Sequence, residues 1–222
     1  MWSERYNEKP AWNQRLDVVV KAIIGSYPGS FQDKQLLDFG CGTGDVAKAL
    51  AHLGGQVLAI DASEQMITKG NTTNSDPKIS FRQFQVKSDP NQLRDQLLAE
   101  DHALFDAAVS SSVMEYVPDP LVALQTIHSV LNENGHLWFT VPSDDTPRRK
   151  IESVIKATRL HHPLKLVLGL SKVGRLMHHL SYSNNRFSAA RWIELCQQAG
   201  FSQAKQLQVD GLQHLWLIHA IR

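Results

Sequence analysis

The stretch LDFGCGTGD, residues 37–45, decides how this sequence is interpreted. It overlaps the end of a short, mostly apolar run at Gln35–Phe39, which is typical of a buried parallel strand, and a helical pattern begins at Val46. Glycines between a strand and a helix let the backbone come close to a cofactor, because no Cβ stands in the way. The stretch therefore predicts an α/β fold with a cofactor at the end of its first strand.

Carboxylates surround these glycines. Asp38 precedes them, and Asp45 stands where a nicotinamide-type fingerprint has Gly or Ala. Asp61 ends the next apolar run, 21 residues after Gly40, where a carboxylate can accept hydrogen bonds from both ribose hydroxyls. Carboxylates repel a pyrophosphate but suit a ligand that carries a sulfonium and an ammonium, so the sequence favours S-adenosylmethionine. The alternatives are a ligand-free turn at the glycines and a helix N-cap at Asp61.

The rest of the chain alternates strands with helices, which predicts a parallel sheet with right-handed crossovers. The predicted helices are 16–24, 46–53, 64–69, 92–99, 121–131 and 189–199, and the predicted strands are 35–39, 56–61, 79–86, 105–110, 135–141, 204–209 and 214–221. Only four residues join the last two strands, so they must be antiparallel, because a parallel pair needs a crossover of about a dozen residues.

Composition indicates an ordinary globular chain. Of the 222 residues, 42% are hydrophobic and 20% are charged, and the net charge of +1 gives no global attraction to nucleic acid or membranes. Two cysteines and the absence of an apolar leader favour a reducing, cytoplasmic location. No run approaches the roughly 18 apolar residues of a membrane helix. We expect one domain over residues 1–222.

The segment 143–191 interrupts the alternation of strands and helices. It carries ten Lys or Arg residues against three Asp or Glu residues, a net charge of +7, with apolar residues between them. This pattern predicts a basic, helical insertion that forms a lid over the substrate. An anionic acceptor, a carrier protein or a membrane-associated lipid would suit it, and a solvated helical face over the sheet is the alternative.

Several motifs together resemble the class I S-adenosylmethionine-dependent methyltransferases that act on small molecules, including the quinone-biosynthesis type. They are residues 37–44, Asp61-Ala62-Ser63 with Met66, and the stretch EYVPDP at 115–120. The resemblance spans about residues 36–142. It implies a Rossmann-like, seven-stranded, mostly parallel sheet with the last strand antiparallel, and the helical insertion before the last helix and two strands.

The same resemblance implies a set of cofactor-binding residues. Asp38 and the glycine backbone would hold the methionine part of S-adenosylmethionine, and Met66 would pack against the adenine. Gln85 stands where the family usually has Asp or Glu, and an amide can still hydrogen-bond adenine. The predicted set is Asp38, Gly40, Cys41, Gly42, Gly44, Asp61, Ala62, Met66, Gln85, Val86 and Ser110.

The predicted reaction is methyl transfer to oxygen, nitrogen or carbon of a small organic acceptor, with S-adenosylhomocysteine as the second product. Positioning and desolvation supply much of the acceleration, so a base is optional. For a hydroxyl acceptor, the candidate proton acceptors are Glu115, Tyr116, which stands where the family has His, and His162 among the histidines at 161, 162, 178 and 179. Ordinary packed or solvated histidines are the simpler interpretation. No spacing indicates a metal site.

Two other functions fit the sequence. The basic insertion would also grip RNA or a protein substrate, although few aromatic residues lie between its charges, which makes nucleic acid the weaker interpretation. A methyltransferase fold that only scaffolds a complex is the third, and the departures at Gln85 and Tyr116 leave this alternative open.

Overall fold

The computed structural model describes residues 10–143, 147–158, 182–212 and 214–222. The helices in these ranges are α1 (Pro10–Ser26), α2 (Asp45–His52), α3 (Glu64–Thr73), α4 (Gln92–Ala99), α5 (Pro120–Val130), α6 (Pro147–Ala157) and α7 (Ala189–Gln198). The strands are β1 (Gln35–Phe39), β2 (Gln56–Asp61), β3 (Ile79–Gln83), β4 (Phe105–Ser111), β5 (Leu131–Pro142), β6 (Gln203–Leu207) and β7 (Leu215–Ile221).

The seven strands form one sheet in the order β3-β2-β1-β4-β5-β7-β6. β1 pairs in parallel with β2 and β4, and β7 lies antiparallel between β5 and β6. The chain reverses its direction of travel across the sheet between β3 and β4, so the ends of β1 and β4 flank the crevice where open α/β sheets bind ligands. The structure confirms the predicted mostly parallel sheet and its antiparallel last strand.

Helices cover both faces of the sheet. On one face, α1, α2 and α3 bury apolar residues against alternate positions of the central strands, among them Val19, Ile23, Leu36, Leu50, Val57 and Trp138. On the other face, α4, α5 and α7 pack against the remaining strand positions. The buried residues on this face include Leu37, Leu93, Leu124, Phe139 and Trp192. Central strands covered on both faces read as continuous apolar runs, which is why the sequence shows them so plainly.

Several predicted boundaries were wrong for physical reasons. β3 ends at Gln83 rather than at 86, because β3 is an edge strand whose one neighbour, β2, ends at Asp61 opposite Gln83. The predicted helix 121–131 stops at Val130, and β5 begins at Leu131 instead of at 135, because Leu131 already pairs with Phe105 on β4. α1 and α3 are longer than their apolar stripes predicted. The predicted bounds of β1, β2 and α4 are confirmed, and the remaining boundaries differ by at most two residues.

The predicted insertion is described in part. α6 and residues 182–188 belong to it, and residues 159–181, including His161, His162, His178 and His179, lie outside the described residues. Among the helices described, none is long and apolar enough to span a membrane.

Candidate cofactor and acceptor site

The glycine loop, residues 40–44, turns the chain from β1 into α2. The backbone N–H groups of Gly40 and Cys41 both donate to the Ile60 carbonyl of β2, at 2.8 and 2.9 Å. Gly40, Gly42 and Gly44 have φ values of +79°, +55° and +90°, a region that L side chains rarely adopt. The sequence places glycine at each position where the turn needs this conformation.

The three glycines differ in what surrounds them. A Cβ at Gly40 would lie 2.3 Å from a Val113 methyl, and one at Gly44 would lie 2.5 Å from the Phe81 ring, so both glycines are needed for packing. A Cβ at Gly42 would meet no atom within 4 Å. Gly42 is therefore the member of the loop that faces open space, where a ligand can approach the backbone.

Asp61, at the end of β2, faces the loop. One carboxylate oxygen accepts the Gly42 N–H at 2.9 Å, and the other accepts the Ser63 N–H at 2.8 Å. The side chain is half-buried, and an ionised carboxylate has about four acceptor positions, so each oxygen keeps capacity for a further donor. Two fixed acceptor oxygens suit a pair of neighbouring ligand hydroxyls, as on a ribose.

Asp38 lies beneath the loop rather than on its surface. Its side chain is 1% exposed, and it accepts the Ala47 N–H in the first turn of α2 at 3.0 Å. Burial raises the pKa of this carboxyl to about 8, the Ala47 hydrogen bond opposes that rise, and the charges of Asp61 and Asp45 add to it. A cationic group at this edge would favour the ionised form, so the electrostatics fit the predicted sulfonium and ammonium.

The other predicted cofactor residues lie along the same edge of the sheet. Ala62 is exposed, Met66 is half-buried in the first turn of α3, and Gln85 is exposed beyond the end of β3, with the half-buried Val86 after it. The Cys41 thiol is buried, which raises its pKa. These residues follow the carboxyl ends of neighbouring parallel strands, which is why the fold brings them together.

Ser110 lies within β4 and, like Asp38, is buried. Its hydroxyl has no hydrogen-bond partner among the described residues. An orphaned buried hydroxyl costs free energy that a polar ligand atom would recover. The open space at Gly42, the free acceptor capacity of Asp61 and this hydroxyl all fit an adenosyl ligand.

The predicted proton acceptors have very different surroundings. Glu115 is 4% exposed, and its carboxylate accepts the Ser183 hydroxyl at 2.7 Å. Tyr116 is 36% exposed, and its backbone N–H donates to the Val113 carbonyl at 2.8 Å. His162 lies outside the described residues. Within the described part of the chain, no group of three His, Cys, Asp or Glu side chains is placed to hold a metal ion.

Sequence reasoning missed the residues that shape the loop after β4. Ser112 has a φ of +59°, its N–H donates to the Thr140 hydroxyl at 2.9 Å, and its own hydroxyl accepts the Arg15 guanidinium at 3.3 Å. A serine in the left-handed region is strained, and such strain clusters at functional sites. These three residues lie on separate elements, so no local spacing in the sequence predicts their contact.

The comparisons with known proteins agree with this geometry. Residues 12–206 match the model of a methyltransferase domain family. A curated relative, the ubiquinone biosynthesis O-methyltransferase of Xanthomonas campestris, is 31% identical over 128 residues, which are 57% of this chain and 48% of that protein. The chain spans about half the length of the curated relatives it matches.

Solved structures share the fold. One is the methyltransferase chain in the complex with the Haloferax volcanii Trm112 methyltransferase activator, with a TM-score of 0.69, 16% identity, and coverage of 99% of this chain and 95% of that one. Another is the magnesium protoporphyrin IX methyltransferase of Synechocystis with bound S-adenosylhomocysteine, with a TM-score of 0.62, 16% identity, and coverage of 96% and 83%.

The chain belongs to the methyltransferase domain family, and through it to the class I S-adenosylmethionine-dependent methyltransferases. Membership confirms the family, the enzyme class and the cofactor that the sequence predicts.

Proposed function

We propose that this chain transfers the methyl group of S-adenosylmethionine to a small organic acceptor. We treat residues 1–222 as one methyltransferase domain, with 143–191 as its basic, helical substrate lid. The observation that carries the proposal is the open space at Gly42, a residue whose N–H donates to the doubly anchored Asp61 carboxylate. Two buried, unpaired cysteines, Cys41 and Cys196, support a reducing, cytoplasmic location.

Different residues at the carboxyl ends of the parallel strands would hold different parts of the cofactor. Asp61 would accept the ribose hydroxyls, the glycine backbone would lie along the methionine part, and the buried Asp38 would stabilise its ammonium from below. Met66 would cover the adenine and Gln85 would hydrogen-bond it. The Ser110 hydroxyl, on β4, would donate a hydrogen bond to the cofactor or accept one from it. Ala62, Cys41 and Val86 would line the cleft.

When bound, S-adenosylmethionine would supply an activated methyl group on a sulfonium whose sulfur can leave with the bonding electron pair. The chain's task is to align the acceptor in line with that bond and to exclude water. A hydroxyl acceptor also has to lose its proton. The candidate proton acceptors are His162 and Tyr116, and the Tyr116 side chain is partly exposed. The contacts of Glu115 point to a different role.

The curated relative is named an O-methyltransferase, which favours oxygen as the accepting atom. The +7 charge of 143–191 favours an anionic or carrier-bound acceptor, and peripheral contact with an anionic membrane would use the same charge. Labelled methyl transfer from S-adenosylmethionine into a cell lysate tests the acceptor class. Label in the small-molecule fraction supports the proposal, and label in RNA or protein supports the alternative.

Calorimetry with S-adenosylhomocysteine tests cofactor binding directly. Asp61→Ala should weaken binding at least about tenfold, because hydrogen bonds to a charged group contribute about 1.5–3 kcal/mol each. Asp106→Ala is the matched control. Asp106 also accepts a backbone N–H, from Gln35 at 3.0 Å, but it lies near the start of β4, at the opposite end of the strands. No binding by the wild type at millimolar ligand would refute the proposal and leave a non-catalytic scaffold.

A further inference from the structure

A buried polar cluster joins the loop after β4 to the segment Ser183–Arg186, which we call the 183–186 clamp. The Ser183 hydroxyl donates to the Glu115 carboxylate at 2.7 Å, and the backbone N–H groups of Asn184 and Asn185 donate to the Glu115 carbonyl at 2.9 and 3.1 Å. The Asn185 amide donates to the Met114 and Val117 carbonyls, at 2.9 and 2.8 Å. Glu115 therefore contacts the clamp with both its backbone and its side chain.

The clamp in turn holds α6. The Arg186 guanidinium pairs with the Glu152 carboxylate of α6 at 3.0 Å, and both side chains are 7% exposed. Lys156, one turn further along α6, donates to the Ser183 carbonyl and to the Asn184 side-chain oxygen. A buried pair of this kind is costly to break from one side, because the remaining charge is left without its partner. α6 is thus fixed to the clamp at two points.

The same loop also touches the glycine loop. Val113, two residues before Glu115, fills the space that a Cβ on Gly40 would need. Ser112 is held in its strained conformation by Thr140 and Arg15. Residues 112–117 therefore connect the proposed cofactor site on one side with α6, in the proposed lid, on the other.

We propose that Glu115 is a positioning residue that fixes α6 at the cofactor edge through the 183–186 clamp, and that it is not the proton acceptor of the reaction. A proton acceptor has to reach the acceptor hydroxyl, directly or through one water. The Glu115 carboxylate is instead buried and accepts a hydrogen bond from Ser183. The inference rests on the proposed function only in taking the glycine loop as the cofactor site.

Amide hydrogen exchange of α6, measured by mass spectrometry on the whole chain, tests this role without any ligand. Glu115→Ala should speed exchange in residues 150–157 by about tenfold or more, the scale of a lost hydrogen bond to a charged acceptor. Glu115→Gln keeps an acceptor oxygen and should stay within about threefold of the wild type. Glu194→Ala, which breaks an exposed ion pair with Arg191 on α7, is the control and should leave α6 unchanged.

Ser183→Ala approaches the same contact from the other side and decides the matter if Glu115→Ala does not fold. It should also speed exchange in α6, and it leaves the carboxylate in place. Equal acceleration in Glu115→Gln and Glu115→Ala still supports control of α6 by Glu115, with the charge as the necessary part. Exchange in α6 that is unchanged in both Glu115→Ala and Ser183→Ala overturns the proposal.

A second measurement adds S-adenosylhomocysteine and separates this proposal from the proposed function. In the wild type, bound ligand should slow exchange in α6 by about threefold or more. In Ser183→Ala, the affinity for S-adenosylhomocysteine should stay within about threefold of the wild-type value. Exchange in α6 should no longer slow when the ligand is added. An α6 that responds equally in both proteins contradicts the positioning role. A wild type that binds no ligand refutes the proposed function and leaves the ligand-free result valid.

Discussion

The glycine loop and the 183–186 clamp meet at one edge of the sheet, but different kinds of groups hold them. The loop is shaped by backbone hydrogen bonds, such as those from Gly40 and Cys41 to the Ile60 carbonyl. The clamp has backbone hydrogen bonds to the Glu115 carbonyl and, in addition, depends on side chains, chiefly the Ser183 hydroxyl and the Asn185 amide. The loop should therefore be sensitive to atoms that are added, and the clamp to atoms that are removed.

Gly40→Ala should have the largest effect, because it adds an atom where the loop is most crowded. The new Cβ would lie 2.3–2.9 Å from atoms of the stiff Val113 side chain, on a residue with a φ of +79°. Left-handed strain of about 1–2 kcal/mol and overpacking of about 1–3 kcal/mol predict a loss of about 4 kcal/mol in the free energy of unfolding. Urea unfolding measures this loss.

Gly42→Ala is the matched control for that substitution. Its Cβ meets no atom within 4 Å, and its φ of +55° is within the region that L residues reach at modest cost. The free energy of unfolding should fall by about 1 kcal/mol. The loss of binding free energy for S-adenosylhomocysteine should be larger than this, because the new methyl group fills the open space. Equal losses of stability in the two variants would contradict the distinction between the packing glycine and the open one.

Asn185→Ala should have the next largest effect, because it removes atoms from the clamp. Asn185 is buried, and its amide donates to the Met114 and Val117 carbonyls, which would lose that donor. Losing two buried hydrogen bonds predicts a decrease of about 3 kcal/mol in the free energy of unfolding. The exposed neighbour Asn184 is the control. Its side-chain oxygen accepts an exposed hydrogen bond from Lys156, so Asn184→Ala should cost less than about 1 kcal/mol in the same measurement. A cost for Asn185→Ala no larger than that of the control would show that side chains do not hold the clamp.

The difference between the glycine loop and the 183–186 clamp also explains which contacts the sequence predicted and which it missed. Residues 38–44 and Asp61 are close in sequence, and the strand-loop-helix pattern fixes where they meet, so the cofactor edge and the sheet were predicted from local patterns. The Ser183–Glu115 contact joins residues 68 positions apart, and only the packed fold brings them together. Glu115 was identified from a local motif, but its predicted role depended on neighbours that the motif does not specify.

The ends of strands also depend on residues that are distant in sequence. The hydrophobic pattern of residues 79–86 continues past Gln83, but the strand stops there because its neighbour β2 stops at Asp61. A strand needs a partner for its backbone groups, and sequence periodicity in one strand does not reveal where the partner ends. Gln85 and Val86 consequently lie in the connection beyond β3 rather than in the strand itself.

The smallest predicted effect is a pH dependence that originates beneath the glycine loop. Burial raises the pKa of Asp38 to about 8, whereas an unfolded Asp titrates near about 3.9. Between these values the folded, ligand-free protein binds more protons than the unfolded chain, so stability falls as pH rises, by at most about 1.4 kcal/mol per unit. Urea unfolding between about pH 7.5 and 8 should show this slope, and Asp38→Asn, which lacks the titrating carboxyl, should have a less negative slope over the same range.

The buried histidine pair sets the lower limit of that pH window. His136 and His219 lie 2.9 Å apart, nitrogen to nitrogen, and burial lowers the pKa of both, that of His219 to about 4. Unfolded histidines titrate near about 6.5, so these two destabilise the fold as pH falls below that value, opposite in sign to Asp38. At pH 6.5 half of the unfolded histidines still carry a proton, so the two opposing slopes are comparable there, and the Asp38 slope dominates about one pH unit higher. Saturating S-adenosylhomocysteine should flatten it, because the ligand's ammonium favours the ionised carboxylate, and a slope that persists with ligand would place the ammonium away from Asp38.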